Sequence, residues 1–392
     1  MTRTEIKNDI LQIKSNNLLL LLATSLGKSK LALDFISKNF HNNPGKILIV
    51  VPRLVLIENW KEEIKKWYDE DVLNHTEFTT YISLHKHNPK EYAWTIFDEC
   101  HHLSERCLDY LTDNTSTNNI LLSATVKKDH LIKLKYTFNN LYIYKMQLKE
   151  AIDNNILPDP NVYLIPLALD NKIHAYSIVK HKGKKDKITI TYELQRQYIF
   201  NNKYKETEIT ILCTQQQYYN EMCSLIQYYK NKSYITLYKN KWLKCCSDRL
   251  KWLSEQKTKL GKEILSKLDN KRVLTFCSSI KQTEQLGENC INSKNKKSKD
   301  ILNKFQEHKI NHITACDMLN EGMNLKDCQI GLFISLHSSN IIISQRNGRL
   351  LRHKEPIFII PYFCNTRDEE IVEEMLKDYN KDLIHYDKSF MI

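Results

Sequence analysis

The chain has 392 residues, which is enough for two or three domains. Apolar residues make up 42% and charged residues 27%, a composition that excludes a disordered or collagen-like chain. Lysine and arginine outnumber acidic residues by 58 to 46, and the net charge of +12 favours a polyanionic partner such as nucleic acid or an anionic membrane surface.

The apolar stretches and the cysteines exclude further classes of protein. The longest apolar stretches, Leu18–Ala23 and Ile47–Pro52, are far shorter than the roughly 20 residues that a membrane span needs. The polar N-terminus is unlike a secretory signal. The 11 cysteines contain no Cys-x-x-Cys pair, which argues against a zinc site or a disulfide framework. We therefore expect a cytoplasmic protein that does not bind membranes.

The first 150 residues alternate short apolar runs with segments of helical spacing. The predicted helices are Lys28–Asn39 and Leu54–Tyr68. The predicted buried strands are Leu18–Leu22, Ile47–Val51, Phe78–Tyr81, Trp94–Phe97 and Ile120–Leu122. Alternation of this kind indicates βαβ units, so an α/β lobe with a parallel sheet is expected over residues 1–150.

A second α/β lobe is predicted over residues 151–375, after the helix-disfavouring segment Leu157–Pro160. Its predicted strands are Arg272–Cys277, His312–Cys316, Ile330–Ser335 and Ile357–Pro361. Residues 171–262 are rich in lysine, tyrosine and glutamine and are interpreted as a mainly helical insertion. A solvated helical spacer without a role of its own is an equally good interpretation. Residues 376–392 form a C-terminal tail.

The loop Ala23–Ser29 follows the first predicted strand and precedes a helix, which is the context of a phosphate-binding loop. Its backbone N–H groups and the helix N-terminus would surround a phosphate. Lys28 would reach the β and γ oxygens, and the Ser29 hydroxyl would bind Mg²⁺. The first glycine of the usual pattern is replaced by Leu22. The remaining candidate residues of this loop are Thr24, Ser25, Leu26 and Gly27.

Two adjacent acids, Asp98 and Glu99, follow the predicted strand Trp94–Phe97. Carboxylates at this end of a parallel strand face the crevice where such sheets bind ligands. Asp98 would hold Mg²⁺ through water, and Glu99 would orient or deprotonate an attacking water. The alternative is an acidic pair that only stabilises a helix N-terminus. The upstream Gly-Lys-Ser loop favours the first interpretation.

These and further short motifs resemble, in order, those of superfamily 2 helicases of the DExH type. The likeness is to compact phage and bacterial members related to type III restriction helicase subunits, and it covers roughly residues 15–150 and 270–365. The segments that carry it are Ala23–Ser29 (motif I), Val51–Arg53 (Ia), Thr79–Tyr81, Asp98–His101 (DECH, motif II), Ser123–Thr125 (III), Phe276–Ser279 (IV), Asp317–Asn324 (V) and Gln345–Arg352 (VI).

The resemblance implies two RecA-like lobes with ATP and Mg²⁺ bound between them. The first lobe would supply Lys28, Ser29, Asp98 and Glu99. The second lobe would supply Gln345, Arg349 and the arginine finger Arg352, so hydrolysis would require lobe closure. Gly322 and Asn324 would also contact the nucleotide, although many relatives have an aspartate at the second position.

Nucleic-acid binding and coupling residues are also implied by the resemblance. Sugar–phosphate backbone contacts without sequence preference are expected at Pro52, Arg53, Thr80, Ser279 and Thr314. Coupling between the ATP cleft and nucleic acid is expected from His101, Ser123 and Thr125. Outside the motifs, the lysine runs 180–187 and 294–299 and the aromatic residues Tyr228, Tyr229 and Trp242 would add affinity. The alternatives are solvated loops for the lysines and core positions for the aromatic residues.

The leading hypothesis is therefore an ATP-dependent nucleic-acid helicase or translocase, with DNA favoured over RNA. The alternatives are an RNA helicase, an ATP-gated nucleic-acid clamp with little turnover, and a nucleotide-dependent module of a larger machine with a protein partner. We expect a monomer. Richness in lysine, asparagine, isoleucine and tyrosine suggests an AT-rich genome, as in a phage or a low-GC bacterium, so the compartment would be a bacterial or phage-infected host cytoplasm.

Overall fold

The computed structural model of the protein describes residues 1–68, 72, 74–181, 195–201, 206–316, 325 and 327–386. Two parallel sheets and a smaller antiparallel sheet make up its β-structure. Within these residues, no helix has both the length and the apolar composition to cross a bilayer.

The first lobe is built on a six-stranded parallel sheet with the order β3-β2-β4-β5-β1-β6. Its strands are β1 (Asn17–Leu22), β2 (Ile47–Val51), β3 (Thr76–Thr80), β4 (Trp94–Phe97), β5 (Asn118–Ser123) and β6 (Tyr142–Met146). Its helices are α1 (Arg3–Gln12), α2 (Lys28–Asn39), α3 (Val55–Trp67), α4 (Glu105–Thr112), α5 (Lys128–Thr137) and α6 (Leu148–Asp153). Every residue of β2, β4 and β5 is buried, as expected for strands covered by helices on both faces.

The second lobe contains a seven-stranded parallel sheet with the order β12-β13-β11-β14-β15-β7-β16. Its strands are β7 (Asn161–Leu167), β11 (Val273–Phe276), β12 (Cys290–Ile291), β13 (His312–Ala315), β14 (Ile330–Phe333), β15 (Ile357–Phe363) and β16 (Ile384–Tyr386). β16 lies in the range interpreted as a C-terminal tail, yet it pairs with β7 and extends the sheet.

The region between β7 and β11 is more complex than the predicted helical insertion. It begins with an antiparallel sheet of β8 (His174–His181), β9 (Gln195–Asn201) and β10 (Glu206–Cys213), which the sequence analysis did not predict. The polar composition concealed the alternation of threonine and isoleucine along β10, which is the signal of a strand. The helices α7 (Gln215–Asn231), α8 (Thr236–Gln256) and α9 (Thr258–Lys267) follow, as the helical spacing predicts.

The remaining helices complete the second lobe. They are α10 (Ile280–Leu286), α11 (Ser298–Gln306), α12 (Asn340–Leu350) and α13 (Arg367–Leu376). α12 lies between β14 and β15 and carries most of the predicted motif VI. Because all strands of the first sheet are parallel, the loops after β1, β4 and β5 meet at one edge. α12 contacts that edge from the second lobe through the hydrogen bonds described below.

Candidate active site

The loop between β1 and α2 has the backbone conformation of a tight phosphate-binding turn. Gly27 has φ of 81° and ψ of 37°, and Ser25 has φ of 69°, both in the left-handed region. This turn exposes the N-terminus of α2, which begins at Lys28 and favours an anion. Leu22 is fully buried at the end of β1, so the missing glycine position belongs to the core strand. The Lys28 Nζ donates to the Leu22 carbonyl at 3.3 Å.

Asp98 is held at the end of β4 by three hydrogen bonds. Its backbone N–H donates to the Val50 carbonyl at 2.9 Å, and its carbonyl accepts from the Tyr81 hydroxyl at 2.7 Å. Its carboxylate Oδ2 accepts from the Trp60 Nε1 at 2.8 Å. Glu99 follows with φ of 51°, a left-handed conformation that turns the chain sharply after the strand. The two adjacent carboxylates are therefore fixed by the backbone in different orientations.

The environment shifts the pKa values of the two carboxyl groups in opposite directions. Burial and the neighbouring charge of Glu99 raise the pKa of Asp98 to about 7. Burial also disfavours ionisation of Glu99, but the charge of Lys28 and the hydrogen bond from His101 outweigh it and lower the Glu99 pKa. A cation beside Asp98 would favour its ionised form, which fits this position for a magnesium ligand.

The predicted coupling residues form a continuous chain of contacts from Glu99. The His101 Nδ1 lies 3.4 Å from the Glu99 Oε2 and 3.1 Å from the Ser123 Oγ. The Ser123 hydroxyl donates to the Thr125 carbonyl at 2.8 Å. The structure thus brings motif III next to motif II, because β5 lies beside β4 in the sheet.

The second lobe docks α12 directly on the phosphate-binding loop. The Thr24 hydroxyl donates to the Ser344 carbonyl at 2.9 Å, and the Ser25 hydroxyl donates to the Gly348 carbonyl. A Cβ atom at Gly348 would lie 2.0 Å from the Thr24 Oγ1. Glycine at this position is therefore required by the close approach of the two lobes.

A cavity of about 280 Å³ lies between the lobes at this contact. The first lobe lines it with residues of the loop and with both acids, and the second lobe lines it with one face of α12 and with Arg352 just after the helix. The predicted site residues along its wall are Thr24, Ser25, Gly27, Lys28, Ser29, Asp98, Glu99, Gln345, Arg349 and Arg352. Leu26 is buried beside them.

α3 forms a wall of this cavity that the sequence analysis missed. Asn59, Trp60, Glu62 and Glu63 line it. Burial lowers the pKa of the Arg352 guanidinium, and the nearby charge of Glu63 opposes this shift. α3 was predicted from its apolar spacing alone, and no sequence motif marks Trp60 as a partner of Asp98.

Part of the predicted nucleic-acid surface is assembled, and part is not. Pro52 and Arg53 follow β2, and Thr80 is the last residue of the adjacent strand β3, so the three lie at one sheet edge, with Arg53 exposed. Ser279 is half-buried, and its hydroxyl accepts from the Gln282 N–H at the start of α10. Thr314 does not fit the prediction. It is 2% exposed, and its hydroxyl donates to the Thr283 carbonyl inside the lobe, so a phosphate cannot reach it.

Two of the predicted nucleotide contacts lie outside the described residues. Gly322 and Asn324 belong to the segment 317–324 of the predicted motif V. Elsewhere, in the described part of the chain, no group of three or more His, Cys, Asp or Glu side chains is arranged to hold a metal ion. The predicted Mg²⁺ ligands Ser29 and Asp98 both line the cavity, and two protein ligands completed by phosphate and water oxygens would fit the usual mode of Mg²⁺ binding.

Known proteins resemble both lobes. Residues 3–134 match the family described as type III restriction enzyme, res subunit, and residues 255–354 match the helicase conserved C-terminal domain. The DNA 3'-5' translocase XPB2 of Sulfurisphaera tokodaii is 22% identical over 362 residues, which cover 88% of this chain and 76% of that protein.

Solved structures share the fold at low sequence identity. The crystal structure of the Pyrococcus furiosus Hef helicase domain is 12% identical, with a TM-score of 0.50 over 95% of this chain and 97% of that one. A fragment described as an HsdR subunit of a type I restriction enzyme from Vibrio vulnificus is 14% identical, with a TM-score of 0.57 over 97% of this chain and 67% of that one.

The predicted fold class, two RecA-like lobes with parallel sheets, is confirmed by the topology and by these neighbours. The two family matches lie in the expected order, one on each lobe. The chain belongs to the superfamily 2 helicases, ATP-hydrolysing enzymes that act on nucleic acid, and it is related to the helicase subunits of type III restriction enzymes.

Proposed function

We propose that the protein is an ATP- and Mg²⁺-dependent translocase or helicase that acts on DNA. The observation that carries the proposal is the single cavity shared by Lys28, Asp98 and Glu99 of the first lobe and Arg349 and Arg352 of the second. The relative XPB2 is a DNA 3'-5' translocase, which supports DNA as the substrate. We assign the first lobe to residues 1–150 and the second to residues 151–386, because β16 extends the sheet of the second lobe.

The first lobe would bind the nucleotide and orient the attacking water. Lys28 and the N–H groups of residues 24–29 would hold the phosphates, and Ser29 and Asp98 would hold Mg²⁺, since these three side chains line the cavity. When bound, ATP would supply the phosphoryl group and Mg²⁺ would neutralise its charge. Glu99, whose lowered pKa keeps it ionised near neutral pH, would accept a proton from the water.

The second lobe would stabilise the charge that develops during phosphoryl transfer. Gln345, Gly348 and Arg349 are spaced at i, i+3 and i+4, so they share the α12 face that meets the cavity, and Arg352 lines the cavity from the turn after the helix. A guanidinium makes planar, bidentate contacts and remains charged, which suits Arg349 and Arg352 for phosphate oxygens. Since these groups lie on the lobe opposite Lys28, opening of the lobes would switch hydrolysis off.

The coupling to DNA would pass through motifs II and III. His101 contacts both Glu99 and Ser123, and through these contacts it would communicate the state of the acid to the end of β5. Arg53, Pro52 and Thr80 lie at the same sheet edge, and Ser279 lies on the second lobe. DNA held by both lobes would favour one lobe arrangement and thereby stimulate hydrolysis. We further propose a cytoplasmic monomer.

ATP hydrolysis by the full chain tests the proposal, with Mg²⁺ and with single-stranded DNA, single-stranded RNA or duplex DNA in turn. We expect DNA to stimulate hydrolysis and Lys28→Ala to abolish it. Lys38→Ala, an exposed lysine of the same helix, is the matched control and should retain the wild-type rate. Stimulation by RNA alone would move the function to RNA. ATP binding without turnover under every condition would indicate a clamp.

A further inference from the structure

The helices α7 and α8 form an antiparallel hairpin that projects from the second lobe. Near the turn, the rings of Tyr229 and Tyr238 lie 6.0 Å apart, and further down the Arg249 Nη1 lies 3.1 Å from the Cys223 Sγ. α8 has 21 residues, which corresponds to a length of about 30 Å. The turn between the helices is therefore far from the point where the hairpin joins the lobe.

The base of the hairpin is firmly packed. Tyr219 of α7 and Trp252 and Leu253 of α8 are buried in one hydrophobic cluster with Leu169 and with Phe363 of β15. At the end of α8, the Lys257 Nζ donates to the Asp368 Oδ2 at 2.8 Å, and both side chains are buried. A buried pair with this geometry fixes the orientation of the helix relative to the sheet.

A buried glutamine also links the hairpin base to the loop of the predicted motif IV. The Gln282 Nε2 donates to the Ser254 carbonyl at 2.7 Å, and its Oε1 accepts from the Ser278 backbone N–H at 2.8 Å. Ser279, a predicted DNA contact, is the next residue along the chain. Gln282 therefore joins the hairpin base directly to this loop.

The tip of the hairpin, Tyr228–Lys241, differs from the buried base because it carries exposed aromatic and positively charged side chains. Tyr234 is 83% exposed and Tyr228 is 50% exposed. The only charged residues between Glu221 and Asp248 are Lys230, Lys232, Lys239, Lys241 and Lys244, all of them positive. The Lys232 Nζ lies 4.0 Å from the ring centroid of Tyr228, so lysines and aromatic faces are interleaved. Exposed aromatic clusters of this kind mark binding surfaces.

We propose that the hairpin tip is a second binding site for single-stranded DNA, an inference that rests on the proposed function. Its lysines would contact phosphates, and Tyr228 and Tyr234 would stack on unpaired bases. The uniformly positive charge complements a phosphate backbone. Exposed aromatic faces favour a single strand over duplex DNA, because paired bases cannot offer their faces.

Because buried polar contacts hold the base to the second lobe, DNA bound at the tip would move with that lobe when the cleft opens and closes. Among the described residues, none of the tip lines the nucleotide cavity. The wall of that cavity is formed by residues at or near α2, α3, the end of β4 and α12. Tip substitutions should therefore weaken DNA binding while the DNA-independent rate of ATP hydrolysis stays at the wild-type value.

Fluorescence anisotropy with a labelled oligo(dT), without nucleotide, tests this inference on the full chain. We expect the double variant Tyr228→Ala/Tyr234→Ala to bind about tenfold more weakly or worse. The double variant Tyr228→Phe/Tyr234→Phe keeps both aromatic faces and should bind like the wild type. Tyr136→Ala is the matched control, since this tyrosine is 75% exposed on α5 of the first lobe. It should leave binding unchanged.

The salt dependence of the same binding reaction tests the role of the lysines. Removing two phosphate contacts should lower the slope of log K against log salt by about 1.4 for a single strand. Lys230→Ala/Lys239→Ala removes two exposed tip lysines, and Lys38→Ala/Lys86→Ala removes two exposed lysines of the first lobe as a control.

The outcomes separate this inference from the proposed function. Wild-type binding by the double alanine variant, with DNA-stimulated hydrolysis intact, would overturn the tip site and leave the proposed function standing. An equal loss in the phenylalanine variant would overturn stacking as its basis. If the wild type neither bound the oligonucleotide nor was stimulated by it, the proposed function would fail and the tip site with it.

Discussion

The two lobes contribute to the cavity in different ways. In the first lobe, the functional groups stand on loops whose backbone is set by left-handed residues, Ser25, Gly27 and Glu99. In the second lobe, Gln345 and Arg349 stand on the regular helix α12, and their position depends on how that helix is docked. The first half of the site is therefore formed within its own lobe, whereas the second half depends on the contact between lobes.

The largest expected effect follows from removing the positively charged Arg352 guanidinium, which the second lobe supplies. Arg352→Ala should lower kcat for DNA-stimulated ATP hydrolysis about 10³-fold or more, because an arginine finger is worth that much. Steady-state hydrolysis measures this, and a nonhydrolysable analogue measures nucleotide affinity, which should change little. Arg106→Ala, an exposed arginine of α4, is the control. A wild-type kcat in Arg352→Ala would remove the second lobe from the chemistry.

The next largest effect comes from the docking of α12 itself. Gly348→Ala places a Cβ 2.0 Å from the Thr24 Oγ1 and should push the helix off the loop. A displacement of about 1 Å can cost about 10²-fold in rate, so we expect a loss of that order in kcat. Gly287→Ala is the control in the same lobe, since its Cβ would make only an ordinary contact of 3.7 Å with Thr314.

Melting temperatures distinguish misdocking from unfolding in this experiment. Both glycine variants should melt close to the wild type, because the clash can be relieved by separating the lobes. Full activity in Gly348→Ala would show that the lobes do not need this close contact for hydrolysis.

A smaller effect is expected within the first lobe, at the carboxylate that Trp60 orients. Trp60→Phe keeps the ring and removes the N–H that donates to Asp98. Partners of metal ligands typically contribute about 10–100-fold to metal affinity, so we expect the Mg²⁺ concentration for half-maximal activity to rise about tenfold. Binding of Mn²⁺ with nucleotide, followed by electron paramagnetic resonance, should weaken in parallel.

Trp67→Phe is the matched control for this change. Trp67 lies on the same helix and donates to the Glu63 Oε2 rather than to Asp98. Its loss should leave the metal dependence unaltered. If both tryptophan variants shifted the metal dependence equally, the effect would reflect the packing of α3 and the direct role of Trp60 would be wrong.

The smallest expected effect concerns the coupling between DNA binding and ATP hydrolysis rather than the hydrolysis step itself. Ser123→Ala removes the side chain that contacts His101 and should lower DNA stimulation about fivefold, the equivalent of one hydrogen bond of about 1 kcal/mol. The rate without DNA should stay the same. The ratio of the stimulated to the basal rate measures this, and an equal decrease in both rates would contradict a coupling role.

The sequence predicted most of the parallel sheets because buried strands are continuous apolar runs. β2 and β4 have the predicted bounds. The contact of Trp60 with Asp98 could not be predicted, since it joins a helix face to a loop that is distant in sequence. Thr314 was assigned to the DNA surface, but it lies in β13, where it and both its neighbours, Ile313 and Ala315, are buried. The strands of the insertion were missed because their polar composition concealed a period of two.

The central claim is that groups from both lobes act in one site, and a double-mutant cycle tests it most directly. The cycle uses two conservative changes, Lys28→Arg and Arg352→Lys, each made alone and both made together. The rate of DNA-stimulated ATP hydrolysis is measured for each variant under single-turnover conditions. Residues that act as a unit are not additive. We predict that the double variant loses about as much rate as the worse single variant. A loss equal to the product of the two single losses would contradict the account.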